Sequence, residues 1–472
     1  MAVQRHRMST TLLDRKHTAM MLVVVAAATF MDGLDGSIVS IILPTVAEDM
    51  GVDTATSSWA TIIYLLVLAA LIIPFARISA QIGVRKILAA GLGIFAAGSL
   101  LCGLADNFPM LIAFRFIQAV GAAMMAAAAP MCCTEHLPLD RLGFGMSVVT
   151  IGASLGFALG PVVGGAISEF LTWHWVFFIN IPFGLIGMTT ILKAIPKDAE
   201  EGGKPVVDIK GSAVFCTAMV LGVLGVEIMS YSDMETYSAL CLIACIALFM
   251  LFVRVEHSAT VPLLKTSMFR NLGFTSVFAC LMIINAAYMA IIYLIPFYGE
   301  VVLGKSPLGI GYFLLVSAAI TAIVGMPIAK WSDTAGRRGF CIAAGIVVLG
   351  AFLIYGLAAD DMSDMVLFAG VVLQGIGWGL VGGPMASRLV EHAGDERDMA
   401  SSMMNEAYYV GGALGTAIAA MLFTITSGAE GIDITLIPAH MFIDGFVPVA
   451  LLCAAMSAAV AVLSFLLKDD KR

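Results

Sequence analysis

The chain has 472 residues, 60% of them hydrophobic and only 12% charged, with a formal net charge of −8 and a mean hydropathy of +0.99. Soluble domains carry about 25% charged residues, and a water-soluble fold of this composition would expose large apolar patches. The balance argues against a soluble enzyme or a nucleic-acid-binding domain and predicts an all-α polytopic membrane protein. Backbone groups in lipid must be satisfied within helices or a closed barrel. The apolar runs here, such as Met20–Thr29 and Val214–Ile228, are continuous and lack the alternation of a barrel strand.

A span needs about 20 largely apolar residues. On that rule fourteen helices are expected, at 18–42, 57–78, 86–105, 109–131, 143–168, 174–194, 210–230, 238–256, 271–298, 308–330, 339–358, 364–387, 401–426 and 443–467. The first follows a basic segment (Arg5, Arg7, Arg15, Lys16) and runs on without a small-residue cleavage site, so it reads as an uncleaved span. It carries Asp32 and Asp35, three residues apart and therefore on one helical face. An ionised carboxylate in lipid costs at least ~2.5–3.5 kcal/mol. The pair is expected to face an aqueous cavity or to share a proton, although one of them could instead be a structural partner of an arginine. Arg115, well inside the fourth span, needs such a carboxylate or a carbonyl, and Asp35 or Asp32 is the expected partner.

Further along, Gly156, Gly160 and Gly164 are spaced by four in the fifth span, giving a flat face for close helix packing. Pro161 among them should kink the helix and free a carbonyl. The remaining intramembrane acids are Glu227 in the seventh span and Glu406 in the thirteenth, the latter beside Tyr408 and Tyr409. An acid beside aromatic rings suits a lipophilic cation through charge and cation–π contact. Glu406, Tyr409, Asn285, Tyr288, Gln118 and Glu227 are therefore candidate cavity residues. The nine cysteines are scattered in apolar segments without a CxxC or Cys/His cluster, so neither a disulfide framework nor a metal site is expected. No Walker loop or other cofactor motif appears, and no cofactor is expected.

Charge sets the expected topology. Arg85, Lys86, Arg141, Lys193, Lys197, Lys204, Lys210, Arg254, Lys265, Arg270, Lys330, Arg337, Arg338, Arg388, Arg397, Lys468, Lys471 and Arg472 fall in alternate loops and the C-terminal tail. The intervening loops hold Lys305 and many acids, among them Asp49, Asp53, Asp106, Asp233, Asp360, Asp361, Glu430 and Asp433. The positive-inside rule then predicts a plasma-membrane protein with both termini cytoplasmic.

The chain also repeats itself. Gly83 recurs as Gly336 after 253 residues, Gln118 as Gln374 after 256, and Gly156 and Gly160 as Gly411 and Gly415 after 255. Parallel six-helix repeats are a transporter architecture with the substrate site between them. The expected division is a cytoplasmic segment 1–17, a six-helix bundle 18–195, a loop with two inserted helices 196–260, a second bundle 261–467 and a tail 468–472.

Several of these segments resemble the major facilitator superfamily, in particular its 14-helix drug:proton antiporter branch. Leu34-Asp35-Gly36-Ser37-Ile38-Val39 through Leu43-Pro44 is similar to the branch's L-D-x-T-I-V-x-x-A-L-P. Ala76-Arg77-Ile78-Ser79-Ala80-Gln81-Ile82-Gly83-Val84-Arg85-Lys86 resembles G-x-L-A-D-R-x-G-R-K, with Ala80 in place of the latch aspartate. The second copy, Ser332-Asp333-Thr334-Ala335-Gly336-Arg337-Arg338, keeps it. Arg115-Phe116-Ile117-Gln118-Ala119-Val120-Gly121 resembles R-x-x-Q-G-x-G, and Gly156 through Pro161 to Gly164-Gly165 fits G-x-x-x-G-P-x-x-G-G, the pattern of its exporters. Trp173-His174-Trp175-Val176-Phe177-Phe178-Ile179-Asn180-Ile181-Pro182-Phe183-Gly184 is similar to W-R-W-I-F-x-I-N-x-P-x-G.

The resemblance implies two six-helix bundles with two extra helices between them and no enzymatic activity. It implies a monomer that moves a small molecule against protons across the bilayer, exporting amphipathic or cationic compounds. Asp35, Asp32 and Arg115 would couple to protons. Asp333, Gly336, Arg337, Gly83 and Arg85 would gate, and the glycines with Pro161 would pack helices. An exporter of one metabolite, peptide or lipid, and a non-transporting membrane sensor, are the competing readings.

Overall fold

The computed structural model describes residues 13–52, 54–196, 208–230, 234–259, 262–305, 307–359, 363–428, 434 and 437–466. Fourteen helices among these are long and apolar enough to cross a membrane. In chain order they are α1 (Arg15–Met50), α2 (Trp59–Ile82), α3 (Val84–Cys102), α4 (Phe108–His136), α5 (Leu142–Phe170), α6 (Asn180–Ala194) and α7 (Ile209–Glu227). They continue as α8 (Glu235–Ser258), α9 (Leu272–Phe297), α10 (Pro307–Ala335), α11 (Arg338–Leu357), α12 (Asp364–His392), α13 (Arg397–Ser427) and α14 (Ala439–Leu466). Of the loop charges read for topology, Arg5, Arg7, Asp53, Lys197, Lys204, Asp233, Asp360, Asp361, Glu430, Asp433, Lys468, Lys471 and Arg472 lie outside the described residues. The described Arg85, Arg141, Lys193, Arg270, Arg337 and Arg397 sit at one end of the alternating helices, called here the basic end.

Local chemistry sets the helix ends. Asp14, Asn107, Asp208, Asn271 and Ser363 each accept a hydrogen bond from a first-turn backbone N–H, as N-caps do. The α2–α3 and α10–α11 corners turn on Gly83 and Gly336, at φ 100° and 93°, a region that disfavours side chains. The repeat at those two positions is therefore a repeat of backbone geometry. The spans α4, α10 and α12 each end five residues later than expected, and two others depart further. The first is longer than 18–42 at both ends. The sixth is broken, with a short helix at Trp175–Phe178 before α6. Pro182 has no N–H for the carbonyl of Phe178, which accounts for the interruption.

The helices pack as two copies of one pattern. In the first half α1 packs on α5, α2 on α4, and α3 on α4 and α6; in the second α9 packs on α13, α10 on α12, and α11 on α12 and α14. The halves meet through their fifth helices. The first half's α5 lies on α10 and α12, and α13 lies on α2 and α4. The inserted α7 packs against α2 and also touches α13, while α8 packs on α7 and presents most of its apolar surface outward. That surface is what a lipid-facing helix requires.

Glycine makes the fifth helices fit. A Cβ at Gly156 would run into the carbonyl of Phe30, and one at Gly160 into the side chain of Ser37, both on α1. Gly411 and Gly415 meet Met282 and Ala286 of α9 in the same way. The face differs from expectation at its far end. Gly152 extends it, against Thr29, whereas a Cβ at Gly165 would meet nothing within 4 Å, so Gly165 does not pack helices. Gly164 is buried, and Pro161 lies inside α5 without ending it.

Candidate functional site

Two acids three residues apart on α1 go to different places. Asp35 is fully buried inside the first half and does not line the central cavity. Its Oδ2 accepts from Arg115 Nη1 at 2.5 Å, and its Oδ1 accepts from Gln118 Nε2 at 2.8 Å and from Asn180 Nδ2 at 3.2 Å. The break before α6 brings Asn180 there. Arg115 is buried as completely as Asp35; its Nε donates to the carbonyl of Ala60 at 2.9 Å and Nη1 also reaches Gln118 Oε1 at 2.7 Å. Its guanidinium carbon lies 4.4 Å from the centre of the Tyr64 ring, a cation–π contact. Gln118 Nε2 also donates to Ser99 Oγ at 2.8 Å. The charges are thus matched, and every one of these groups except Arg115 Nη2 is hydrogen-bonded among the described residues, close to the condition under which a buried ion pair is tolerated.

Asp32 lies in the wall of a central cavity between the halves. Its Oδ1 accepts from the hydroxyl of Tyr64 at 2.7 Å, and its Oδ2 accepts from the hydroxyl of Tyr409 on α13. One carboxylate therefore holds a phenol from each half. The cavity has a volume of about 60 Å³, room for little more than a few waters. Its walls include Thr29, Met125, Asn285, Trp378, Met404 and Tyr408. Asn285 donates to the carbonyl of Leu281 at 2.7 Å, and its side-chain oxygen has no hydrogen-bond partner among the described residues.

Some expected residues lie elsewhere. Gln118 belongs to the Asp35 cluster, not to the cavity, because its amide is consumed by Asp35, Arg115 and Ser99. Tyr288 stacks on Trp378 with ring centres 4.0 Å apart and lines a smaller adjoining pocket with Tyr408. Glu406 is buried on α13 but does not line the cavity. Glu227 ends α7, and its side chain lies outside the described set. Asp32 and Asp35 do not bond to each other. The Tyr64 side chain stands between them, with its hydroxyl on Asp32 and its ring over Arg115. Sequence reading missed Tyr64, Asn180 and Trp378. Tyr64 was visible as a lone phenol in an apolar run, and Asn180 within the Asn180-Ile181-Pro182 motif.

The basic end carries two polar ties between the halves. Asp333 of α10 accepts from Arg337 Nη2 at 2.7 Å and from the backbone N–H groups of Gly143 and Phe144, at 3.1 and 3.4 Å. The second half's aspartate thus caps the first half's α5, where a helix N-terminus favours negative charge. Arg337 also pairs with Glu391. Opposite, where Ala80 stands in place of the aspartate, Arg77 of α2 reaches Glu396 before α13 at 3.6 Å, and Lys265 pairs with the same carboxylate. Arg85 Nη2 donates to the carbonyl of Leu192 at 2.8 Å, joining α3 to the last turn of α6 within one half.

Two parallel six-helix repeats around a central cavity form a transporter that carries small molecules across a membrane. The chain belongs to the Major Facilitator Superfamily, whose family model matches residues 25–416. Among its relatives, the cephamycin export protein CmcT of Amycolatopsis lactamdurans is 28% identical over 95% of this chain and 93% of its own. The multidrug transporter protein MdtP of Bacillus subtilis is 27% identical over 85% of this chain and 75% of its own. The crystal structure of the human organic anion transporter MFSD10 (TETRAN) superposes with a TM-score of 0.64 at 16% identity, covering 93% of this chain and 99% of that one, a likeness of fold.

Proposed function

We propose that the protein is a proton-coupled antiporter of the plasma membrane, with both termini cytoplasmic, that exports small amphipathic or cationic compounds. The observation that carries this reading is Asp32, a carboxylate in the cavity wall midway along α1, held by Tyr64 from its own half and Tyr409 from the other. The names of the relatives support export, and the cavity supports an amphipathic cargo. Trp378 and Tyr408 offer aromatic faces, Met125 and Met404 adaptable apolar ones, and Asp32 the charge.

The geometry suggests how exchange is enforced. An ionised, empty Asp32 accepts from both phenols and ties the halves together. A proton turns one carboxyl oxygen into a donor and removes an acceptor for the phenols. A cationic or donor group on a substrate competes with the Tyr409 hydroxyl for Oδ2. The protein loaded with either a proton or a substrate is then free to rock between its two faces, and the empty ionised protein is not. That asymmetry is what obligatory exchange requires. Asp35 serves by holding α1, α2, α4 and α6 in register.

The test is substrate-evoked proton movement in proteoliposomes loaded with a pH dye, over a panel of cationic, neutral and anionic amphipaths. Wild type should give a proton signal with cationic members, and Asp32→Asn should give none while remaining monodisperse in detergent. A wild-type signal restricted to one compound would favour the exporter of a single metabolite. Full proton movement in Asp32→Asn would remove the proposal's basis.

A further inference from the structure

Glu406 is a buried acid for which the Asp32 clamp has no use. It is 7% exposed, and neither carboxylate oxygen has a hydrogen-bond partner among the described residues. Its neighbours Met404, Asn405, Tyr408 and Tyr409 line the cavity, but Glu406 does not. It interacts electrostatically with Cys216 on the inserted helix α7 and with Tyr409 on its own helix. The Cys216 thiol donates to the carbonyl of Ala70 on α2 at 3.1 Å. Glu406 therefore sits behind the cavity wall, near the seam where α13 crosses onto the other half and α7 packs over α2.

A structural acid in such a place normally has a donor, as Asp35 and Asp333 do. An ionised carboxylate without one is costly in an apolar interior. Among the described residues no arginine or lysine bonds to it. From α2, Tyr64 is held by Asp32 and Arg77 by Glu396; from α4, Arg115 is held by Asp35. Cys216 is the titratable group that α7 brings near. What such a carboxyl can hold without a partner is a proton.

We propose that Glu406 is a second proton-binding site, separate from the substrate cavity, and that α7 shields it from lipid. Its proton is taken up from water where the α2–α13 seam opens towards one face of the membrane and is given up to water where it opens towards the other, so each cycle carries it across. This gives the inserted helices a role in transport and rests on the alternating-access reading above.

A hydrophobic carbodiimide adds to a protonated carboxyl in apolar surroundings, so it reports the proton directly. The full-length protein in detergent, without substrate, is treated with dicyclohexylcarbodiimide from acid to alkaline pH, and adducts are located by peptide mass spectrometry. Glu406 should be labelled, with labelling falling as pH rises. In proteoliposomes, Glu406→Gln should lose that adduct and move one proton fewer per substrate than wild type. No adduct on Glu406 at any pH in monodisperse protein would overturn the site. A titrating adduct with an unchanged proton-to-substrate ratio in Glu406→Gln would overturn its part in coupling. Labelling needs no transport, so a labelled Glu406 in a protein that moves no protons would retain the site and sink the antiport reading instead.

Discussion

The two halves share their packing and differ in their chemistry. Each presses a glycine-lined fifth helix onto its first helix, at Gly156 and Gly160 in one and at Gly411 and Gly415 in the other. Each places a glutamine at the same point of its fourth helix. Gln118 binds Ser99, and Gln374, 256 residues on, accepts from Tyr355, 256 residues after Ser99, at 3.1 Å. The charges are not repeated. The position 256 after Arg115 is Val371, so the Asp35–Arg115 pair has no counterpart there, and the second half's face on the cavity carries the stacked Tyr288 and Trp378, while its buried acid, Glu406, lies away from the cavity. Close packing tolerates little change in volume, so a repeat preserves it, while one half can carry a buried ion pair and the other an aromatic wall at the cavity.

That comparison predicts unequal responses at equivalent positions. The largest effect on stability is expected from Arg115→Ala, which strands Asp35 as an unpaired buried carboxylate and should cost about 3–5 kcal/mol. Val371→Ala in the other half removes only apolar contacts, about 2 kcal/mol. Thermal unfolding in detergent compares them, and equal losses would mean that the Asp35 cluster is not held by its charge. Where the halves agree, responses should agree. Gly160→Leu and Gly415→Leu should each destabilise by at least about 1–3 kcal/mol through overpacking, and a tolerated leucine in one half alone would break the equivalence.

The smallest effects belong to the ties at the basic end. Asp333→Asn weakens a buried group bonded to Arg337 and to two backbone N–H groups. Arg77→Ala removes a partly exposed 3.6 Å pair, a class worth about 0.2–1 kcal/mol. Thiol labelling of a cysteine introduced at Ala126 in the wall of the central cavity, in a cysteine-free background and with the reagent supplied only from the basic-end side of proteoliposomes, reads opening of that end. Labelling should rise more in Asp333→Asn than in Arg77→Ala, and the reverse order would make the Arg77–Glu396–Lys265 tie the main latch.

Most of the fold was legible because the bilayer imposes it. Continuous apolar runs and alternating basic loops are one-dimensional signals, and the glycine spacing on α5 pointed to a real contact with α1. The pairing of Arg115 with a carboxylate of α1 was legible for the same reason, since a buried guanidinium has few possible partners. The division of labour between Asp32 and Asp35 was not. Three residues put both on one side of a helix, but 3.6 residues per turn leaves them about 60° apart. That is enough to turn one into the cavity and the other into the bundle. Glu406 was read towards the cavity from its aromatic neighbours. Only the rotation of α13, with Tyr409 at the cavity and Gly411 on α9, turns it elsewhere. Ala80 marked a missing latch residue in the sequence, yet the replacement tie came from Glu396, distant along the chain and invisible to motif comparison.

The central claim is that substrate and proton compete at Asp32. It is tested most directly by the protons released when a transported cation is added to the detergent-solubilised protein in weakly buffered solution. The account predicts release from wild type, release from any folded Asp35→Asn protein, and none from Asp32→Asn that still binds the compound. Proton release that persists in Asp32→Asn and vanishes in a folded Asp35→Asn protein would contradict it and move the exchange to the buried cluster.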